Sequence, residues 1–327
     1  AGTVPEHDDV LLSTERLTEV GDVDLAERRI RVGAGVALAK VQRAAATAGL
    51  LFGVDLAARD SATVGGMAST NAGGLRTVRY GNMGEQVIGL DGALPDGSVV
   101  HRHSQVRSDN TGYDLASLFV GAEGTLGVIT GLDLRLHPAP RHRVTAVCGF
   151  ADLDALVACG RALRDTDSIA AMELIDGRAA ALAAEHLQVP VAVDGDWILL
   201  IELAGESDLT ERLAEALEDA ELCAEPAVGI DLTAQQRLWQ SRESVAEVVG
   251  LFGPPLKFDV SLPVSAISSF AADSAALVAE HAPDAIPLLF GHIGEGNLHL
   301  NVLRCGTDAE AHLYAAMMKV IAAQGGN

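Results

Sequence analysis

The segment Phe290-Gly-His-Ile-Gly-Glu-Gly-Asn-Leu-His-Leu-Asn-Val302 decides how this chain is read. Leu298, Leu300 and Val302 alternate with His299 and Asn301, the period of a strand with one apolar and one polar face. A short apolar run over 286–290 ends just before His292, and Gly291, Gly294 and Gly296 mark a tight turn. Strand, turn and strand place His292 and His299 side by side. Two neutral imidazoles held close begin a site for zinc or a similar divalent metal. The spacing supplies no third protein ligand, and Glu295 in the turn is only a weak candidate. The competing reading is a glycine hairpin whose polar residues face solvent.

Working outward, Lys257, Asp259 and Ser261 share one face of a strand, and Phe258, Val260 and Leu262 the other. A lysine beside an aspartate there is a solvated ion pair, or a carboxylate anchor if it lines a pocket. Leu238-Trp-Gln-Ser-Arg-Glu243 reads as helix, as do 267–281 and 310–324. Further upstream, strands at 144–150 and 197–203 alternate with helices at 153–163, 179–186 and 209–220. That pattern predicts an α+β sandwich, an open antiparallel sheet covered by helices. Pro138-Ala-Pro140 breaks the chain ahead of it and sets a domain boundary, 1–140 and 141–327.

The first domain carries a second informative stretch, Ser61-Ala-Thr-Val-Gly-Gly-Met-Ala-Ser-Thr-Asn-Ala-Gly-Gly-Leu-Arg76. Its glycine pairs, Gly65-Gly66 and Gly73-Gly74, with Ser61, Thr63, Thr70 and Asn71 among them, can turn successive N–H groups inward as a pyrophosphate nest. Glycine also lets a flat ring system lie against the backbone. The pattern is neither G-x-G-x-x-G nor a P-loop. Gly124 and Gly127, within 118–130, allow a similar close approach before a strand that runs to 136. Strands are predicted at 10–12 and 29–32, a helix at 37–48, a hairpin at 87–93 and 98–100, and a loop over Asp109-Asn-Thr-Gly-Tyr113.

Composition narrows the function. The 327 residues are 49% hydrophobic with 34 glycines, and the net charge is −22. Nucleic acid and anionic membranes demand a basic footprint that this chain lacks. Cys148, Cys159, Cys223 and Cys305 show no C-x-x-C spacing, which fits free thiols in a reducing, cytoplasmic setting. No long uncharged apolar run predicts a transmembrane segment. Both ends stop abruptly, so the chain reads as a fragment.

Taken in order, these motifs resemble the FAD-linked oxidoreductases of the vanillyl-alcohol oxidase/PCMH superfamily. The nearest group is the D-lactate, glycolate and D-2-hydroxyglutarate dehydrogenases. The resemblance rests on Ala62-Thr-Val-Gly-Gly66 with Thr70-Asn-Ala-Gly-Gly-Leu-Arg76, Asp109-Asn-Thr-Gly-Tyr-Asp-Leu115 and Gly121-Ala-Glu-Gly-Thr-Leu-Gly-Val-Ile-Thr130. Trp239 with Arg242-Glu243, Lys257-Phe-Asp-Val-Ser-Leu-Pro263 and the histidine hairpin complete it. It implies a PCMH-type FAD-binding domain, then an FAD-linked oxidase C-terminal cap domain built on an antiparallel sheet covered by helices. FAD would lie on Ser61, Thr63, Gly65, Gly66, Thr70, Asn71, Gly73, Gly74, Glu123, Gly127 and Ile129. His292 and His299 would bind a divalent metal, by this reading zinc, and serve catalysis. Arg242, Lys257 and Asn301 would hold the substrate carboxylate. Members of this group also carry a phosphate-cradling glycine loop ahead of the first residue here and a Glu-His-Gly motif beyond the last.

The resemblance implies oxidation of a D-2-hydroxy acid to the 2-keto acid by hydride transfer to FAD, assisted by the metal. A small 2-hydroxy acid, an unidentified electron acceptor and a second copy of the chain in a homodimer are the partners it allows. Ala246, one helical turn past Arg242, offers no polar group to a second substrate carboxylate. The alternatives are a degenerate, non-catalytic FAD-binding subunit, or an alcohol or sugar oxidase of the same superfamily.

Overall fold

A computed structural model describes residues 8–103, 111–164 and 166–327. The chain divides into two compact units, Ala1–Ala139 and Pro140–Asn327.

The first unit runs β1 (Val20–Asp24), β2 (Arg29–Gly33), α1 (Leu38–Thr47), β3 (Leu50–Leu51), α2 (Val64–Ser69), α3 (Thr77–Tyr80), α4 (Met83–Gln86), β4 (Val87–Ala93), β5 (Val99–His103), α5 (Leu115–Phe119), β6 (Val128–Arg135) and β7 (His137–Pro138). Its sheet has the order β1-β2-β6-β4-β5, with every pairing antiparallel. Alternation along the strands decides which face is covered. Ile30, Val32, Leu90, Leu132 and Leu134 are buried in one cluster with Leu38, Val41 and Ala45 of α1 and with Val64 and Met67 of α2. Each Val, Leu, Ile or Met among them contributes about 1.5–3 kcal/mol by leaving water. The opposite face carries Arg31, Asp91, His101, His103 and Asp133. Residues 10–12 form no strand, and Val10, Leu11 and Leu12 are exposed. The loop expected over 109–113 lies partly outside the described residues.

The second unit runs β8 (His142–Phe150), α6 (Leu153–Arg164), β9 (Ile169–Asp176), α7 (Gly177–Leu187), β10 (Trp197–Gly205), α8 (Thr210–Leu217), β11 (Ala227–Gly229), α9 (Leu232–Leu251), β12 (Leu256–Ser261), α10 (Ile267–His281), β13 (Ile286–His292), β14 (Asn297–Leu303) and α11 (Thr307–Ala323). Seven strands in the order β11-β8-β10-β9-β13-β14-β12 form one antiparallel sheet. The sequence pattern misses β9 and β11. All eight residues of β9 are buried, and a strand covered on both faces loses the alternation that would reveal it. Helices α7 and α9 pack on each other, and α9 reaches β8, β9 and β10. Helix α11 lies on the reverse face, where Tyr314 stacks on Phe258. No helix among the described residues is long and apolar enough to cross a membrane.

Candidate active site

The hairpin read from the sequence is present. Strands β13 and β14 pair with Phe290 opposite His299 and His292 opposite Asn297. Directly opposed residues point to the same face, so Phe290, His292, Asn297 and His299 share one side. The two imidazole rings stand 5.3 Å apart, nearly perpendicular. On the other flank of β14, Lys257 is opposite Asn301 and Asp259 is opposite His299. Lys257 is therefore on the histidine face and exposed, while Asn301 is buried.

The sequence does not announce Glu173. It sits on β9 opposite His292 and is 0% exposed. One carboxylate oxygen is 2.6 Å from His292 Nδ1. The other accepts from Arg242 Nε at 2.7 Å. A carboxylate with no access to water must be paired, and here both of its partners are residues singled out from the sequence. Burial alone would raise the Glu173 pKa, but His292 and Arg242 outweigh it and hold it below the ordinary value. Burial disfavours the charged imidazole of His292, yet Glu173 reverses that and its pKa is raised. The Arg242 guanidinium also lies 5.0 Å from the centre of the Phe290 ring. With Glu173 on Nε, the terminal Nη pair is the part of Arg242 that a second carboxylate could use.

Helix α9 brings Arg242 and Trp239 to the sheet from one face, three residues apart. Asp231 caps the helix start by accepting from Ala234 N at 2.9 Å. The Trp239 indole donates to Glu202 Oε2 at 3.0 Å, within the core. Glu202 is a second buried acid, and Arg143 approaches it at 3.5 Å. The helix is thus pinned to two acidic positions of the sheet.

The donor set suits a divalent metal. His292 turns Nδ1 to Glu173, and His299 turns Nδ1 to Asp259 at 3.3 Å. A carboxylate behind each imidazole fixes its tautomer and leaves Nε2 for an ion. Asp259 also accepts from Asn297 Nδ2 at 2.9 Å, and its carboxyl is held low, first by the hydrogen bond to His299.

In the first unit the two glycine stretches meet. Gly121 N donates to Ala68 O at 3.0 Å and Glu123 N to Ser69 O at 2.9 Å. Asn71 and Glu123 take left-handed backbone angles, φ 49° and 50°. Such residues concentrate at ligand sites. Asn71 is further tied down by accepting from Gly84 N at 2.9 Å.

The expected nest of N–H groups does not form over 64–69. That stretch is helix α2, with Thr63 as its cap accepting from Gly66 N at 3.3 Å. Gly65 N is committed to Ala34 O, and Gly74 N to Thr77 Oγ1. The glycines divide into two kinds. A Cβ on Gly65 would lie 2.5 Å from the Ala34 Cβ, one on Gly74 2.0 Å from Asp55 O, and one on Gly127 2.5 Å from Ala93 O. Those three serve internal packing. A Cβ on Gly66 would meet only Thr63 Oγ1, at 3.2 Å, and one on Gly124 would meet nothing within 4 Å. Gly66, Thr70, Glu123 and Gly124 are exposed and offer the low, open surface that a planar ring requires. Gly73 abuts Thr77, the Ile129 side chain is in the core, and Ser61 ends the turn that begins at Ala58. Side chains can therefore face a flavin at Thr70 and Glu123, whereas Gly73, Gly127 and Ile129 could do so only through their backbone.

Comparison with known proteins places the chain. The family described as FAD linked oxidases, C-terminal domain, matches residues 139–327, and the FAD binding domain matches residues 1–102. This chain belongs to the FAD-linked oxidases. The D-2-hydroxyglutarate dehydrogenase of Xanthomonas citri pv. viticola is 34% identical over 326 residues, 98% of this chain and 68% of that protein. Its counterpart in Stutzerimonas stutzeri is 32% identical, covering 93% of this chain and 67% of the relative. The mitochondrial enzyme of Danio rerio is 33% identical over 92% of this chain but 58% of its own length. Within the class, then, the chain is a member of the FAD-dependent D-2-hydroxy-acid dehydrogenase group, and it spans about two thirds of its bacterial relatives. Among solved structures, 4-ethylphenol oxidase from Gulosibacter chungangensis superposes with a TM-score of 0.74 at 16% identity, over 96% of this chain and 70% of that one. An alkyldihydroxyacetonephosphate synthase gives 0.70 at 15%, over 96% and 62%. Both show the fold alone.

Proposed function

We propose that the protein carrying this chain oxidises a D-2-hydroxy acid to the 2-keto acid, with FAD as electron acceptor and a divalent metal, zinc by its donor set, at His292 and His299. The observation that supports this most is the arrangement on one sheet face of two carboxylate-backed imidazoles, a buried arginine and an exposed lysine. When bound, FAD accepts the two electrons of the oxidation and the metal lowers the pKa of an oxygen it touches. The chain's own residues do the rest. Arg242 offers its Nη pair to the substrate carboxylate and Lys257 adds a mobile point charge. Glu173 keeps both Arg242 and His292 from swinging, so the acid is gripped in one orientation. Asn301, opposite Lys257, supplies an amide to the same carboxylate.

The need for metal follows from proton bookkeeping. A hydroxyl with a pKa near that of water faces imidazole at a mismatch of about 9 units, or on the order of 12 kcal/mol. Histidine alone does not bridge that gap.

The relatives named for D-2-hydroxyglutarate make it the first acid to test, against the hint from Ala246. Free thiols and the bacterial relatives support a cytoplasmic setting. The acceptor that reoxidises the flavin, and a homodimer, are further parts of the proposal. A panel of D-2-hydroxyglutarate, D-lactate, glycolate and a neutral sugar alcohol, with an artificial dye as acceptor, tests the substrate class. Arg242→Lys and Lys257→Ala should raise KM for acids at least tenfold. Turnover of the sugar alcohol, with both variants unaffected, would favour the alcohol-oxidase reading.

A further inference from the structure

His101 and His103 stand two apart on β5, so both reach the outer, polar face of the first unit's sheet. Asp91 on β4 is directly opposite His101, and Gly89 is opposite His103. Two imidazoles converge there on a single carboxylate oxygen. His101 Nδ1 is 2.6 Å from Asp91 Oδ1, and His103 Nε2 is 2.7 Å from that same atom. The second nitrogen of His103 is held from behind by Asp133 Oδ2 at 2.7 Å.

Glycine makes this convergence possible. Gly89 lies between Asp133 on β6 and His103 on β5. A Cβ there would sit 2.8 Å from Asp133 Oδ2 and 3.0 Å from His103 Nδ1. Gly131 plays the same part beside Asp91, where a Cβ would come within 3.2 Å of Oδ2. A larger residue at position 89 would push between His103 and Asp133, and one at position 131 would displace the Asp91 carboxylate.

We infer that Asp91, His101 and His103 form a second divalent-metal site, for a borderline ion such as Zn2+, with Asp133 orienting His103. Each residue offers one ligand atom, and these atoms lie within 4.8 Å of one another. Two imidazoles and one carboxylate are a zinc ligand set, and a carboxylate behind a ligating imidazole is its usual support. A tetrahedral ion about 2.0–2.1 Å from each ligand atom spaces them roughly 3.3 Å apart. The side chains need only part slightly, and His101, 70% exposed, is free to move that far. The fourth position faces water. Access comes from the side of His101, whose ring stands at the surface. Arg31 binds the far oxygen of Asp91, approaches Asp133 at 3.4 Å and places Nη1 2.9 Å from both ring nitrogens of His103, so this half-exposed guanidinium must swing off His103 as the ion enters, while it still offsets one of the two carboxylate charges. The ion would tie β5, at the sheet's edge, to β4 and through Asp133 to β6.

This site is separate in sequence from His292 and His299, and one titration distinguishes the two. Zn2+ is added to the chain against a chromophoric chelator. The parent should lose one bound equivalent in His101→Ala/His103→Ala, whatever happens in His292→Ala/His299→Ala. Asp133→Asn should weaken this site 10–100-fold. In the parent itself, the ring-proton NMR signals of His101 and His103 should shift by the time two equivalents of Zn2+ are added, one for each site, a readout that needs no variant. An unchanged zinc count in the His101/His103 variant, or ring signals that do not move, would reduce the cluster to a hydrogen-bonded ion network and overturn the inference.

Discussion

Replacing Glu173 by glutamine keeps its shape and removes its charge. The parent carboxylate is 0% exposed, with Arg242 Nε at 2.7 Å and His292 Nδ1 at 2.6 Å. Arg242 is itself only 5% exposed, so the variant leaves a guanidinium charge in the core without its counter-charge. Breaking a buried pair from one side costs about 3–5 kcal/mol. For a unit of this size that corresponds to a fall in Tm of roughly 6–20 °C. Both tryptophans, Trp197 and Trp239, belong to the second unit. Tryptophan fluorescence therefore follows the melting of that unit alone, without the two-state assumption for the whole chain. Metal affinity, measured alongside, should fall 10–100-fold because His292 loses the group that fixes its tautomer. A Glu173→Gln melt within 2 °C of the parent, with zinc binding unchanged, would refute the claim that Glu173 organises this site.

Other outcomes follow from the same geometry. In metal-free protein, the raised pKa of His292 gives stability that is full below its unfolded value and lost as pH rises through the folded one. The depressed pKa of Glu173 gives stability present above its unfolded value and lost as pH falls through the folded one. The second unit should melt highest between about pH 4.3 and 6.5, and Glu173→Gln should flatten that profile, as read by tryptophan fluorescence. His292→Ala should slow substrate oxidation at least tenfold while FAD stays bound, read from flavin absorbance. Gly65→Ala should destabilise the first unit by about 1–3 kcal/mol through overpacking against Ala34. Gly66→Leu should leave the fold intact and weaken FAD binding, so melts and flavin titrations of the two variants should separate the glycine roles. Burial pushes the thiols of Cys148 and Cys159 up to about 12 and about 11. Native protein treated with iodoacetamide at pH 8 should label at exposed Cys223 and spare those two.

The hairpin around His292 was legible because its alternation and glycines are local signals, and so was the strand that carries Lys257. Strand β9 was not. Ile169-Ala-Ala-Met-Glu-Leu-Ile-Asp176 is apolar on both faces and rich in helix-forming residues, so neither period stands out. With it went Glu173, although a lone glutamate inside an apolar run is itself a sign of a buried charge that needs a cation. The glycine stretch at 61–76 was not legible as a helix, because its glycines argue against one. Only neighbours distant in sequence, Ala34, Asp55 and Ala93, show which glycines pack and which face outward. His101 and His103 lie just past the strand read at 98–100, and the sequence reading did not single them out. Their meaning depended on Asp91 and Asp133 from two other strands.

The most direct test of the central claim is the absorption spectrum of the purified protein, reconstituted with FAD, from 300 to about 550 nm before and after anaerobic addition of D-2-hydroxyglutarate. Flavin bands should bleach on addition of the acid, and far more slowly in Arg242→Lys. Bands that stay unchanged with D-2-hydroxyglutarate, D-lactate and glycolate alike, or no flavin band even after FAD is supplied, would contradict that claim.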